Sequence, residues 1–386
     1  MKIMIVGLDG YLGWPLAMHL TQRGHNVFGI DHFGRRRWVA ECGSASGTDI
    51  LSMEDRLATF TRKTGKTIGF REMDVGDYEG LRELLASFKP DSIVHLGEMP
   101  AAPFSMIDFE HAKLTHDNNV TGSLALLWAM RHECPDAHLL KLGTMGEYGT
   151  PGIEIAEGRF EVTYKGRTAT VNFPRSPGSF YHATKVHDTT NLDFACRIWG
   201  LKATDIMQGV VYGTRTDEIM LDEGLRTRFD FDGVFGTAIN RFCAQAVLGL
   251  PLTPYGKGLQ KRGFLPLRDS IQCMTLLLEE PPKAGEYRVV NQLEDVYDVT
   301  TLAETVARVG REVLGREVVI ENIPNPRIEA EVHEYDVATD NLRALGYEPT
   351  HDMAGELVGV LTDLATVEDR LRSHAEAVMP KVNWRR

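Results

Sequence analysis

The sequence predicts an α/β fold, a doubly wound parallel sheet followed by a smaller C-terminal lobe. Three observations predict it. Short apolar, β-rich runs alternate with longer segments of helical pattern, the first run ends in regularly spaced glycines, and the alternation becomes irregular after about Gln208. The runs are "KIMIVG", "NVFGID", "GFREMD", "DSIVHLG", "AHLLKLGT" and "KATDIMQG", with "EGLRELLASF" and "GSLALLWAMRHE" among the segments between them. Near-continuous apolar strands between amphipathic helices indicate a parallel sheet covered on both faces.

Two stretches break this rhythm. Residues 43–66 lengthen one crossover, and residues 152–173 alternate apolar and polar side chains around Lys165-Gly166, the pattern of a hairpin. The expected division is a nucleotide-binding domain over 1–207 and a mainly substrate-binding lobe over 208–386, with returns to the sheet near 236–250 and 264–292. In that lobe Leu357, Val360, Leu361, Leu364, Val367 and Leu371 mark one packed face of a helix.

Composition narrows the function. A chain of 386 residues, 43% hydrophobic and 25% charged, buries a large core. Its formal net charge of -12 repels nucleic acid and anionic lipid, so neither is an expected partner. Cys42, Cys134, Cys196, Cys243 and Cys273 are scattered and never spaced as CxxC, which suits buried thiols in a reducing cytoplasm and gives no metal site. "KIMIVG" is too short for a signal or spanning segment, so a cytoplasmic location is expected.

The first turn reads "VGLDGYLGWPLAMHL", with Gly7, Gly10 and Gly13 around Tyr11 and Leu12 between strand and helix. Glycines there let backbone approach a pyrophosphate, and the helix N-terminus offers free N–H groups. An ordinary tight turn also uses such glycines, so residues further along the chain decide. Asp31 closes the second strand, where a carboxylate accepts from ribose hydroxyls and repels a 2′-phosphate, which favours NAD over NADP. Arg35, Arg36 and Arg37 come next, and Arg36 is the candidate cofactor contact; a solvated basic loop is the alternative. Asp74 and Val75 end the third strand near the expected adenine edge, although Asp74 also suits a helix N-cap. Leu96, Gly97 and Glu98 of "HLGE" and Asn119 of "NNVTG" fall toward the nicotinamide half of such a Rossmann fold.

Tyr181 and Lys185 form YxxxK, a spacing that puts both side chains on one helix face and lets the ammonium lower the phenol's pKa. Thr144 stands at the end of the preceding strand. Together these motifs resemble the extended short-chain dehydrogenase/reductase family, the sugar-nucleotide epimerases and dehydratases. "TMGEYGTP", "SFYHATKVHD", "QGVVYGTRTDE", "LRTRFDFDGVFGTAINRF", "YGKGLQKRGF", "NPRIEAEVHEYD" and "MPKVNW" are similar to the branch of that family that joins sulfite to UDP-glucose, and the likeness spans almost the whole chain.

The resemblance implies a reaction. Tyr181, helped by Thr144, takes the proton of the sugar O4 as C4 is oxidised. The ketone acidifies C5–H, and Glu147 and His182 are the acid and base expected to remove that proton and the C6 hydroxyl. Related 4,6-dehydratases carry Thr-Asp-Glu at this strand end, whereas Met145 and Gly146 take those places here and the carboxylate stands at Glu147. Backbone hydrogen bonding by Glu147 and simple packing of His182 are the competing readings. Arg262 and Arg327 match the positions that grip the pyrophosphate, with Gln208, Thr237 and Arg241 as further contacts to sugar or phosphate. Met99 and Pro100 replace the Gln-Arg usual after "GE", which removes a cation suited to sulfite, and Lys261 replaces a Thr in the phosphate loop. A 4,6- or 5,6-dehydratase or a 4-epimerase that never meets sulfite is the second reading. The resemblance also implies a homodimer paired through helices near 115–134 and 181–200.

Overall fold

The computed structural model describes residues 1–328, 330, 332 and 334–384. Seven strands form the central sheet: β1 Lys2–Val6, β2 Asn26–Asp31, β3 Gly69–Glu72, β4 Ser92–His95, β5 His138–Leu142, β8 Lys202–Gln208 and β11 Tyr287–Gln292. Their order is β11-β8-β5-β4-β1-β2-β3 and every pairing is parallel. The chain winds outward from β1 in one direction through β2 and β3 and in the other through β4 and β5. The crevice over the carboxyl ends of β1 and β4 is therefore the switch point where such sheets bind ligands. Alternate faces of β1 feed different cores. Ile3 and Ile5 pack with Leu16 and Leu20 on one side, while Met4 and Val6 pack with Leu81, Leu126 and Met130 on the other.

The two interruptions form elements of their own. Residues 43–66 contain the helix Met53–Thr64, capped by Ser52 at one end and by Gly65 at the other. The hairpin pairs β6 Arg159–Tyr164 with β7 Arg167–Asn172, and its turn residues Lys165 and Gly166 both have positive φ, the type I′ geometry that suits twisted strands. Phe160 and Phe173 anchor it on Met145 and Tyr148 beside the strand end of β5.

Beyond residue 208 the chain builds a three-stranded sheet of β9 Val210–Tyr212, β10 Lys261–Pro266 and β12 Asp295–Asp298. The helices Ala238–Leu248, Val299–Leu314 and Met353–Ala365 share a second core. Strand β11 returns from this half of the sequence to complete the main sheet. The C-terminal apolar face is a correction to the sequence reading: Leu357, Val360, Leu361 and Leu364 lie on the helix Met353–Ala365, but Leu371 belongs to a second helix, Glu368–Arg372. The hydroxyl of Thr366 donates to the Asp363 carbonyl, and Val367 precedes the new helix instead of continuing the old one. Among the described residues no helix is long and apolar enough to cross a membrane.

Candidate active site

A cavity of about 690 Å³ lies over the carboxyl ends of the central strands, between sheet and lobe. The predicted residues Gly7, Gly10, Tyr11, Leu12, Gly13, Asp31, Val75, Leu96, Gly97 and Glu98 line one part of it. Thr144, Tyr181, His182 and Gln208 line the middle, and Thr237, Arg241, Arg262 and Arg327 the lobe side. Arg36, Asp74, Asn119, Glu147 and Lys185 are not on its wall.

The glycine turn is a cradle that side chains would fill. A Cβ on Gly13 would stand 2.1 Å from the Gly7 carbonyl oxygen, and one on Gly7 would stand 2.7 Å from the Leu96 and Gly97 backbone. Gly7 also has φ +92, a conformation that glycine alone adopts readily. The helix Gly13–Gln22 opens on the cavity with no side-chain cap; Trp14 N–H donates to the Gly10 carbonyl at 3.4 Å and Pro15 has none, which leaves Gly13 N–H as the first helical donor for an anion. Asp31 is oriented by two backbone donors, Asp9 N–H at 2.8 Å and Phe33 N–H at 2.7 Å. This set fits a dinucleotide with free ribose hydroxyls.

The arginines after Asp31 are not a solvated loop. Arg36 makes a bidentate pair with Asp9 at 2.7 and 2.6 Å, Arg35 pairs with Asp230 at 2.7 Å, and Arg37 donates to the His32 carbonyl at 2.6 Å. Arg56, wholly buried and delivered by the inserted helix, holds Asp9 from the other side at 2.8 Å. Arg36 is thus committed to bracing the glycine turn through Asp9. Asp74 is exposed and accepts from Gly76 N–H at 2.8 Å, and the N-cap of the following helix is Asp77, not Asp74. Asn119 is buried beneath the wall. It accepts from Met99 N–H and donates to the Met99 carbonyl and the Thr184 hydroxyl, so it braces the segment after Glu98.

Tyr181 and Lys185 share a face of the helix Phe180–Trp199, as their spacing requires, but the ammonium does not act on the phenol alone. Lys185 pairs with Glu98 at 2.7 Å and donates to the Leu142 carbonyl at 2.7 Å. The phenol is consequently held above its ordinary pKa, first by burial and then by the Glu98 and Glu147 charges. Burial of the phenol outweighs the nearby cations, and the Glu98 charge that pairs Lys185 adds to it, so the expected lowering is not seen.

His182 faces the cavity with Nε2 near Gly146, where an added Cβ would stand 2.3 Å from it. Its Nδ1 lies 3.0 Å from the Ser179 hydroxyl, which caps the helix by accepting His182 N–H. Burial, reinforced by Arg327 and Arg262, pushes the imidazole down to about 3, so it stays neutral across the physiological range.

Glu147 departs from the expectation. Its carboxylate lies wholly buried below the cavity floor, ion-paired with Arg175, and accepts from the Thr189 hydroxyl at 3.0 Å. Lys141 stands 3.9 Å away. Glu147 also accepts from Thr144 N–H at 3.4 Å while the Thr144 hydroxyl accepts from Gly146 N–H at 3.2 Å. This capping box fixes the turn Met145–Glu147 and presents Thr144 to the cavity. Glu147 therefore positions the threonine; Arg175, Lys141 and Thr189 already satisfy its oxygens.

With this geometry in place, the chain matches the model of the NAD dependent epimerase/dehydratase family over residues 3–291. It belongs to that family, and its cofactor is NAD. It is 45% identical over its full length to the chloroplastic UDP-sulfoquinovose synthase of Spinacia oleracea, covering 79% of that protein. It is 46% identical to the UDP-sulfoquinovose synthase of Sulfolobus acidocaldarius, covering 98% of it. The fold is that of a Bacillus cereus UDP-glucuronic acid 4-epimerase solved with UDP-glucuronic acid and NAD, with TM-score 0.70 and 19% identity over 95% of this chain and 100% of the other.

The position of Glu147 gives a discriminating variant. Glu147→Gln leaves Arg175 and Lys141 undercompensated, and a loss of about 3 kcal/mol in urea unfolding is expected, while C5 hydrogen exchange of bound nucleotide sugar persists in the folded fraction. Loss of exchange at unchanged stability would return Glu147 to proton transfer.

Proposed function

We propose that this chain converts UDP-glucose to UDP-sulfoquinovose by oxidising C4, eliminating water across C5 and C6, and adding sulfite at C6. The similarity to two proteins of that name along the full chain carries this reading, together with Thr144, Tyr181 and His182 gathered on one cavity wall. NAD, held by the glycine turn, the uncapped helix N-terminus and Asp31, supplies when bound a positive charge and a hydride acceptor that ends the cycle unchanged.

The rest is done by side chains. Tyr181, as the phenolate that the positive charge of bound NAD would favour, receives the O4 proton as C4 becomes a carbonyl, with the Thr144 hydroxyl on the same cavity. That carbonyl acidifies C5–H. His182, neutral and with Nε2 on the cavity, removes the C5 proton and delivers it to the departing C6 hydroxyl, so one residue serves both halves of the elimination. Water leaves and a 4-keto-5,6-ene remains. Sulfite then bonds to C6, a proton returns to C5, and the ketone is reduced to the alcohol. Atoms balance as exchange of the C6 hydroxyl for a sulfonate. Arg262 and Arg327 carry the charge for the pyrophosphate, with Arg241, Thr237 and Gln208 around the sugar.

One observation favours a reaction without sulfite: Met99 is wholly buried and Pro100 lines the cavity, so that segment offers no cation there. Incubation with UDP-glucose, with and without sulfite, followed by mass measurement, separates the readings. The proposal requires a sulfonated product only when sulfite is present; loss of one water regardless of sulfite, or a changed epimer of unchanged mass, replaces it. His182→Asn should keep C4 oxidation, read as absorbance of reduced cofactor, and slow C5 deuterium exchange roughly 10²–10⁴-fold. Undiminished exchange would remove His182 from the elimination.

We also infer a homodimer. The helices Gly122–Glu133 and Phe180–Trp199 leave Leu124, Trp128, Phe194 and Ile198 exposed, an apolar face a second copy would cover. Light scattering at micromolar concentration should give twice the chain mass, and a monomer mass would refute the pairing.

A further inference from the structure

Beneath the cavity lies a closed set of charges that the reaction does not consume. Its cations are Lys141, Arg175 and Lys185, and its carboxyl groups are Glu98, Glu147, Asp188 and Asp205. All four carboxyl-bearing residues and both lysines are buried. His95, 3.7 Å from Glu98, is pushed down to about 4 by burial and adds no charge at neutral pH.

The partners are unevenly shared. Glu147 has Arg175, Lys141, the Thr189 hydroxyl and Thr144 N–H. Asp205 has Lys141 at 3.5 Å, the Tyr287 hydroxyl at 2.9 Å and, at 2.6 Å, the same Thr189 hydroxyl, whose single hydrogen the two carboxylates share. Glu98 has Lys185. Asp188 is left with nothing: it is wholly buried, and among the described residues no N–H or O–H group donates to either of its oxygens. The two oxygens of the neighbouring Glu98 are likewise buried with no N–H or O–H group in hydrogen-bond geometry, and two such carboxyls can share a hydrogen bond only if one of them carries a proton. Three cations against four carboxyls likewise call for one proton within the cluster.

We propose that Asp188 is a carboxylic acid at neutral pH and donates its proton to Glu98, making the cluster neutral and fixing Lys185 against the Leu142 carbonyl behind Tyr181. Asp188 is then a positioning residue, one step removed from the phenol. The charged groups that act on it are Glu98 from beyond the end of β4, Lys141 from β5 and Lys185 from its own helix. Burial and the Glu98 charge both favour the protonated form, opposed by Lys141 and Lys185.

Infrared spectroscopy of the full-length protein at neutral pH, without substrate, tests the proton directly. A carboxylic acid carbonyl band sensitive to D2O is expected in the wild type. It should vanish in Asp188→Asn, whose amide donates to Glu98 in the acid's place. It should vanish also in Glu98→Gln, which balances three cations with three carboxylates. Absence of the band in the wild type, or its survival in either variant, overturns the proposal. A pH profile of C4 oxidation gives the second readout. Asp188→Asn removes no charge if Asp188 is already neutral, so its profile should superimpose on the wild type. An ionised Asp188 would instead raise the phenol, and its removal would move the limb to lower pH by about one unit. Only this last measurement rests on Tyr181 acting at O4; a missing infrared band refutes the buried acid and leaves the proposed reaction standing.

Discussion

A lysine ammonium in the middle of a parallel sheet governs the architecture of this site. Lys141 of β5 has no exposed surface, and its register neighbours are His95 on β4 and Asp205 on β8. Burying a cation there is costly unless opposite charge meets it with good geometry. Asp205 and Glu147 do so, and through them the charge organises everything the cavity floor presents. Glu147 turns back to hold Thr144, Thr189 ties the helix bearing Tyr181 to both carboxylates, and Glu98 holds Lys185. The attraction raises the Lys141 pKa despite its burial, so the cation persists at neutral pH.

The nucleotide end is built on the same logic with the signs arranged differently. There a single carboxylate, Asp9, sits inside the glycine turn and draws in Arg36 and the buried Arg56. The pairing stiffens a loop that has few side chains of its own. It also engages within the chain the guanidinium groups that follow Asp31, so the Asp31 carboxylate lines the cavity without an arginine paired to it.

Much of this was legible in the residues. Strand runs, the glycine turn, the type I′ hairpin at Lys165-Gly166 and the shared face of Tyr181 and Lys185 follow from local periodicity and turn chemistry, which do not depend on distant partners. The counter-ions were not legible, because they depend on such partners. Glu98 and Lys185 are 87 positions apart, Glu147 and Arg175 are 28, and Arg36 meets Asp9 only once β2 has paired beside β1. A signal did exist: a lysine inside "HLLKLG" and an aspartate inside "KATDIMQG" are charges in otherwise apolar strand runs, and charges so placed must find one another. Glu147 looked like an acid facing substrate because its neighbours in sequence are at the cavity; the turn after Thr144 rotates it underneath instead.

The cavity wall draws on residues from Val6 to Trp384. A chain still being made on the ribosome has its glycine turn long before it has Arg262 and Arg327. Under the proposed reaction the sugar diphosphate would meet both cations only after most of the polypeptide has emerged, so an incomplete product would not release a reactive unsaturated ketone.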